Sequence, residues 1–113
     1  MKIRKFQIYL ADLSPRFGTE SGKTRPVVVV QTNLLNDGHP STMVCPLTTQ
    51  IVSAASILRV HLSKKENHLP KDSDILVDQV RAIDNARFLK KLGELTLAQR
   101  TQLVENLRIL LLE

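Results

Sequence analysis

One arginine stands where a polar loop meets a buried strand. Gly18 and Gly22 bracket Thr19, Glu20 and Ser21, and Lys23, Thr24, Arg25 and Pro26 then lead into Val27, Val28, Val29 and Val30. Glycine tolerates backbone angles that other residues avoid, and a run of β-branched residues favours a strand. The strand end can hold the Arg25 guanidinium in place while the loop folds over whatever anion it binds. A phosphate-binding loop of the nucleotide type would need four residues between its glycines and a helix after Gly-Lys-Ser/Thr. Here three residues intervene and a valine strand follows, so no helix N-terminus stands ready for a nucleotide.

Other chemistry is sparse. Cys45 is the one cysteine; it cannot form an internal disulfide and reads as a small core residue. His39, His61 and His68 have no ligand-like spacing with one another or with Cys45, so no metal and no cofactor is expected. Sixteen Lys and Arg against eleven Asp and Glu give a net charge of +5 on 113 residues. That surplus favours a polyanion, nucleic acid before membrane, because no basic amphipathic helix is present. No apolar run approaches the roughly 20 residues that span a bilayer, and no apolar stretch follows the basic N-terminus as in a signal peptide. A cytoplasmic protein of one domain, residues 1–113, is expected.

The elements that must position Arg25 follow from pattern. Phe6, Ile8 and Leu10 alternate with Gln7, Tyr9 and Ala11, which predicts a half-buried strand; the valine run, apolar on both faces, predicts a central one. Asn33 to Ser41 carries turn chemistry. A third strand begins at Met43, and a fourth has Leu58, Val60 and Leu62 inward with Arg59 and His61 outward. Lys64 to Asp74 reads as a charged connection and His61 as a solvated strand residue. Ile75-Leu76-Val77 and the stretch around Arg87 to Leu92 supply further strands. Thr96 and Gln99 make a capping box for a closing helix with Leu103, Val104, Leu107, Leu110 and Leu111 at helical spacing. Ile109 and Leu112 lie off that stripe, so the helix end is apolar nearly all round and invites cover by another subunit. The inventory predicts a small, strongly bent β-barrel with one helix packed on it.

Taken in order, Ile8 to Pro15, Gly18-Thr19-Glu20, Lys23 to Val30, Cys45-Pro46-Leu47-Thr48-Thr49 and Leu76 to Asp84 resemble the MazF/PemK family of toxin endoribonucleases over essentially the whole chain. The resemblance implies a mainly β fold, an SH3-like barrel of about five to seven strands with a C-terminal amphipathic helix. It also implies a homodimer that cuts single-stranded RNA (messenger RNA, with ribosomal or transfer RNA as other targets) at short sequence motifs. A cognate antitoxin with an acidic, disordered tail would occupy the RNA site, and operator DNA would be met only through the antitoxin complex. Matched residue by residue, Arg25 and Thr48 fall on catalytic positions and Glu20 on a carboxylate of the substrate loop. Asp78, Gln79 and Arg81 fall on a polar segment linked to activity. Two departures stand out: Phe6-Gln7 replaces the Gly-Asp many members have before the first strand, and Thr19 stands where some carry a loop histidine.

The chemistry is consistent with those positions. RNA is cut without a metal when its own 2'-hydroxyl attacks the neighbouring phosphorus, which needs a base, a donor to the leaving oxygen and stabilisation of the phosphorane charge. Arg25 suits the charge: its fork meets two phosphate oxygens, while a pKa above about 12 makes it a poor base. Thr48 can hydrogen-bond a non-bridging oxygen, with Thr49 beside it, and Glu20 is a candidate base. Arg16 and Phe17 are the loop residues best able to stack on an unpaired base, and Arg16, Lys23, Arg25 and Arg81 should make the surface positive. Each has a plainer alternative. Arg25 could be a surface arginine, Thr48 a strand-closing β-former, Glu20 half of a salt bridge with Lys23, and Asp78 the cap of a turn. Two other functions share the fold: a non-catalytic RNA-binding barrel, and a gyrase-poisoning toxin of the CcdB type, which typically needs a tryptophan near the helix end. The chain has no tryptophan and ends Leu110-Leu111-Leu112-Glu113.

Overall fold

The computed structural model describes residues 1–14, 18–19, 23–55 and 57–113. Its strands are β1 (Gln7–Asp12), β2 (Thr24–Val29), β3 (Ser41–Thr48), β4 (Arg59–Leu62), β5 (Ser73–Leu76), β6 (Arg81–Asp84) and β7 (Phe88–Glu94). They pair antiparallel in the order β4-β5-β3-β2-β1-β7, with β6 also on β3. The valine strand β2 is central, as its two apolar faces require. This is the bent, SH3-like barrel with a C-terminal helix that the sequence predicts.

β3 is the pivot. Val44, Cys45 and Pro46 face Val29, Val28 and Val27 of β2, whereas Leu47 and Thr48 pair with Ile75 and Asp74 of β5. On the edge away from β2 the strand exchanges β6, paired with Ser41 to Val44, for β5 at Pro46, whose nitrogen has no hydrogen to give to a ladder. That bend separates two cores. Ile8, Val28, Cys45, Leu47, Val60, Leu62, Ile75 and Leu103 belong to one; Tyr9, Ala11, Val27, Val29, Val44, Ile83 and Phe88 belong to the other. β1 is therefore buried on both faces over Ile8 and Tyr9, not on one. Alternation in the sequence hid this because Tyr9 reads as polar, yet its ring packs edge-on against Phe88 at 5.3 Å, and its hydroxyl accepts from the Arg4 amide at 3.0 Å. A second difference is Leu58, which precedes β4 and is exposed, while Val60 and Leu62 are buried as expected.

The closing helix α2 (Leu97–Leu112) begins at Thr96 with both halves of the capping box formed. Leu103 drives into the first core. The connection after β4 is more than charged coil: α1 (Lys64–Asn67) is a single turn capped by the Ser63 side chain and closed by His68 in the left-handed region. Its buried Asn67 exchanges side-chain amide hydrogen bonds with Gln99 of α2 at 2.7 and 3.1 Å. Both buried amides are thereby satisfied, and α2 is keyed to one position on the barrel.

Candidate active site

The two residues on which the chemistry was built come together. Continuing the β2·β3 register brings Arg25 opposite Thr48, and the Arg25 guanidinium donates to the Leu47 carbonyl at 3.3 Å. Anchoring to a strand carbonyl fixes the direction of the fork, which a loop arginine would lack. Both side chains open into a groove of about 780 Å³ that also takes in Thr19, Lys23, Thr24, Thr49, Gln50, Ser73 and Gln79. Gln79 Nε2 donates to the Thr19 carbonyl at 3.2 Å, so the one-turn helix Val77–Gln79 ties part of the loop to the barrel. At the loop's other stem, Arg87 donates to the Asp12 and Ser14 carbonyls at 2.9 and 2.5 Å. The loop after β1 is thus held at its base by side chains from far along the chain.

Thr19, Lys23, Thr49 and Gln79 therefore join Arg25 and Thr48 at one groove. Asp78 and Arg81 are not among the residues that line it: Asp78 is exposed, and the 3-10 turn it sits in has no side-chain cap. Arg81 is half-buried opposite Val44, and one of its terminal nitrogens is buried without a hydrogen-bond partner. Glu20, Arg16 and Phe17 lie outside the described residues. Cys45 is buried, and that burial, with the Asp78 charge adding, pushes its thiol up to about 12. A thiolate nucleophile is thus absent at neutral pH, and the core reading of Cys45 stands.

Two cations on the groove were not singled out from the sequence, Arg59 of β4 and Lys71 of the segment before β5. With Lys23 and Arg25 they make four cations, and no carboxylate is among the described lining residues. A concave surface of that sign concentrates anions and suits a phosphate chain. Strand alternation does place Arg59 away from the core. What it cannot tell is that the bend at β3 turns this outer face of β4 and β5 toward Arg25.

A family model described as PemK-like, MazF-like toxin of type II toxin-antitoxin system matches residues 4–111. The chain belongs to that family. Solved PemK/MazF-type structures agree on the fold. A MazF crystal structure from Deinococcus radiodurans superposes with a TM-score of 0.83 at 22% identity, covering 98% of this chain and 97% of its own. The Mycobacterium tuberculosis toxin MazF-mt6 superposes with 0.76 at 21% identity, covering 91% and 93%. An endoribonuclease in complex with its cognate antitoxin from a mycobacterial species gives 0.74 at 18% identity, covering 96% and 91%. PemK/MazF membership rests on the sequence model; these structures carry the barrel. In this member no group of three or more His, Cys, Asp or Glu side chains able to hold a metal ion is found among the described residues. No described helix is long and apolar enough to cross a membrane.

Proposed function

We propose that this toxin is a sequence-specific, metal-independent endoribonuclease that cleaves single-stranded RNA, messenger RNA first, and so stops translation and growth. The observation that carries the reading is the convergence of Arg25 and Thr48 in a groove lined by four cations. In the proposed step the 2'-oxygen bonds to the adjacent phosphorus as the bond to the 5'-oxygen breaks. The 2'-hydroxyl proton passes to Glu20. The departing 5'-oxygen, hydrogen-bonded by Arg25, takes a proton from water and leaves as a 5'-hydroxyl, with a 2',3'-cyclic phosphate on the other fragment. Arg25 balances the charge that builds on the phosphorane oxygens, and Thr48 donates to one of them. Phe17 and Arg16 stack on bases, and Asp78 and Arg81 contribute from outside the residues that line the groove.

A toxin of this kind needs a restraint. We assign it a cognate antitoxin with an acidic, flexible tail, as one solved relative is held with its own antitoxin. Operator DNA is reached only through that complex, in the cytoplasm, and the toxin itself is a homodimer. The test of the reaction is a defined, unstructured RNA incubated with the protein in excess EDTA. Fragments with 5'-hydroxyl ends are expected. Loss of cutting on chelation, restored by magnesium, would overturn the internal-attack mechanism, and no fragment under any condition would leave an RNA-binding barrel.

A further inference from the structure

Arg59 and Asp74 form a unit that the proposed reaction leaves unused. Asp74 lies on β5, with its side chain only 3% exposed. A buried carboxylate is costly unless it is paired and hydrogen-bonded. Three groups satisfy it: Arg59 Nη1 at 3.3 Å, His61 Nδ1 at 3.0 Å and the Val52 amide at 3.3 Å. Arg59 also donates to the Gln50 carbonyl, on the loop that leaves Thr48. The guanidinium is therefore fixed on two sides while it lines the groove.

The sheet register shows where this unit sits. Thr48 pairs with Asp74, and Asp74 pairs with His61, so the three side chains occupy one row on one face. Arg59 and Leu76 form the next pair on that same face, since side chains two apart in a strand point the same way. The opposite face carries Leu47, Ile75, Val60 and Leu62 into the core. Arg25 on β2 and Arg59 on β4 have β3 and β5 between them in the sheet, and both line the one groove from different strands.

Resting on the RNA reading above, we propose that Arg59 is a second phosphate subsite, engaging a backbone phosphate that flanks the one cut, and that Asp74 is the positioning residue that holds it. A guanidinium free to swing would lose side-chain entropy on every binding event; one already clamped by a buried carboxylate loses less. Lys71 at the same wall adds charge without that fixed geometry. The subsite lengthens the track along which one strand of RNA is held and so contributes to binding more than to the chemical step.

The test is binding of a short, mixed-sequence 2'-O-methyl RNA, which lacks the attacking hydroxyl, across a salt series. Proteins compared are the full chain, Arg25→Ala, Arg59→Ala, Asp74→Asn and the Arg59→Ala/Asp74→Asn double variant. Arg59→Ala should weaken binding about tenfold and lower the slope of log affinity against log salt by about 0.7, the value for one lost single-strand phosphate contact. Asp74→Asn should weaken binding alone and add little once Arg59 is gone. On cleavable RNA, Arg59→Ala should raise KM and leave kcat nearly unchanged. If the full chain binds and Arg25→Ala weakens it while Arg59→Ala matches the full chain at every salt, the second subsite is wrong and the RNA reading survives. If the full chain binds no RNA, both fall. Additive losses for Arg59 and Asp74 would remove the positioning role, and should Asp74→Asn fail to fold, the Arg59 arms still decide the subsite.

Discussion

Arg25 and Thr48 are where loss of function should separate from loss of stability. Neither is in either core, so replacing them by alanine removes no packed apolar volume. Each is proposed to meet charge that exists fully only in the transition state, and removing one such donor costs about a hundredfold or more in turnover. Arg25→Ala and Thr48→Ala should therefore melt within a few degrees of the wild type while cutting a defined RNA about a hundredfold more slowly. Arg25→Lys should recover little, since an ammonium cannot span two phosphate oxygens as the planar fork does. Wild-type rates in both alanine variants would refute the assignment of the site. At this scale the sequence was most informative about Arg25, whose junction between glycines and valines is itself a local signal. The outward, solvated reading of His61 holds, since its side chain is 59% exposed on β4; what nothing near residue 61 announces is that Asp74, thirteen positions away, hydrogen-bonds its ring.

Among the elements, the barrel's strand order turns on β3, and the turn α1, which keys α2 to the barrel, lies in close contact with β7. Gly93 in β7 packs so near α1 that a Cβ there would lie 2.2 Å from the Asn67 carbonyl oxygen. Backbone cannot yield as a flexible side-chain end can. Gly93→Ala should therefore displace the turn that carries Asn67, break its amide exchange with Gln99 and destabilise the fold by about 3 kcal/mol. Urea denaturation measures this, and an unchanged midpoint would show that the turn relaxes at no cost. The elements themselves were legible where pattern is local: the valine strand, the short strand before Asp78 and the capping box at Thr96 all appear in place, while β6 (Arg81–Asp84) was not foreseen. The one-turn helix α1 was not, because four residues cannot show a helical period and its stability comes from Asn67 reaching Gln99, thirty-two positions on. Nor was the double burial of β1, which depends on Phe88 arriving from β7 to cover Tyr9. The groove shares this character: Arg25 and Thr48 are marked by motif, while Arg59 enters it only through the bend in the sheet.

The whole molecule has two surfaces that call for partners. Along α2, Leu97, Val104 and Leu111 recur every seven residues and are 79%, 46% and 60% exposed, with Leu112 beyond them at 80%. An apolar stripe of that kind on a basic domain is best covered by a second copy, which also brings two grooves into one particle. Light scattering at micromolar concentration should show twice the mass of one chain, and Leu111→Glu with Leu112→Glu should lower it; a fully active monomeric wild type would remove the dimer. The second surface is the cationic groove, and its chemistry describes the inhibitor. A competitor for a phosphate track should be acidic, flexible and ordered only on binding, with some apolar residues to supply affinity that salt does not screen. If Arg25 serves both ligands, as proposed, Arg25→Ala should weaken the antitoxin tail as well as RNA, and the wild-type affinity should fall with salt without vanishing. Calorimetric titration of the acidic tail of the cognate antitoxin, into wild type and Arg25→Ala at low and high salt, measures both effects. Equal affinity for the two proteins at both salts would mean that the antitoxin restrains the toxin from another face, leaving the groove to RNA alone.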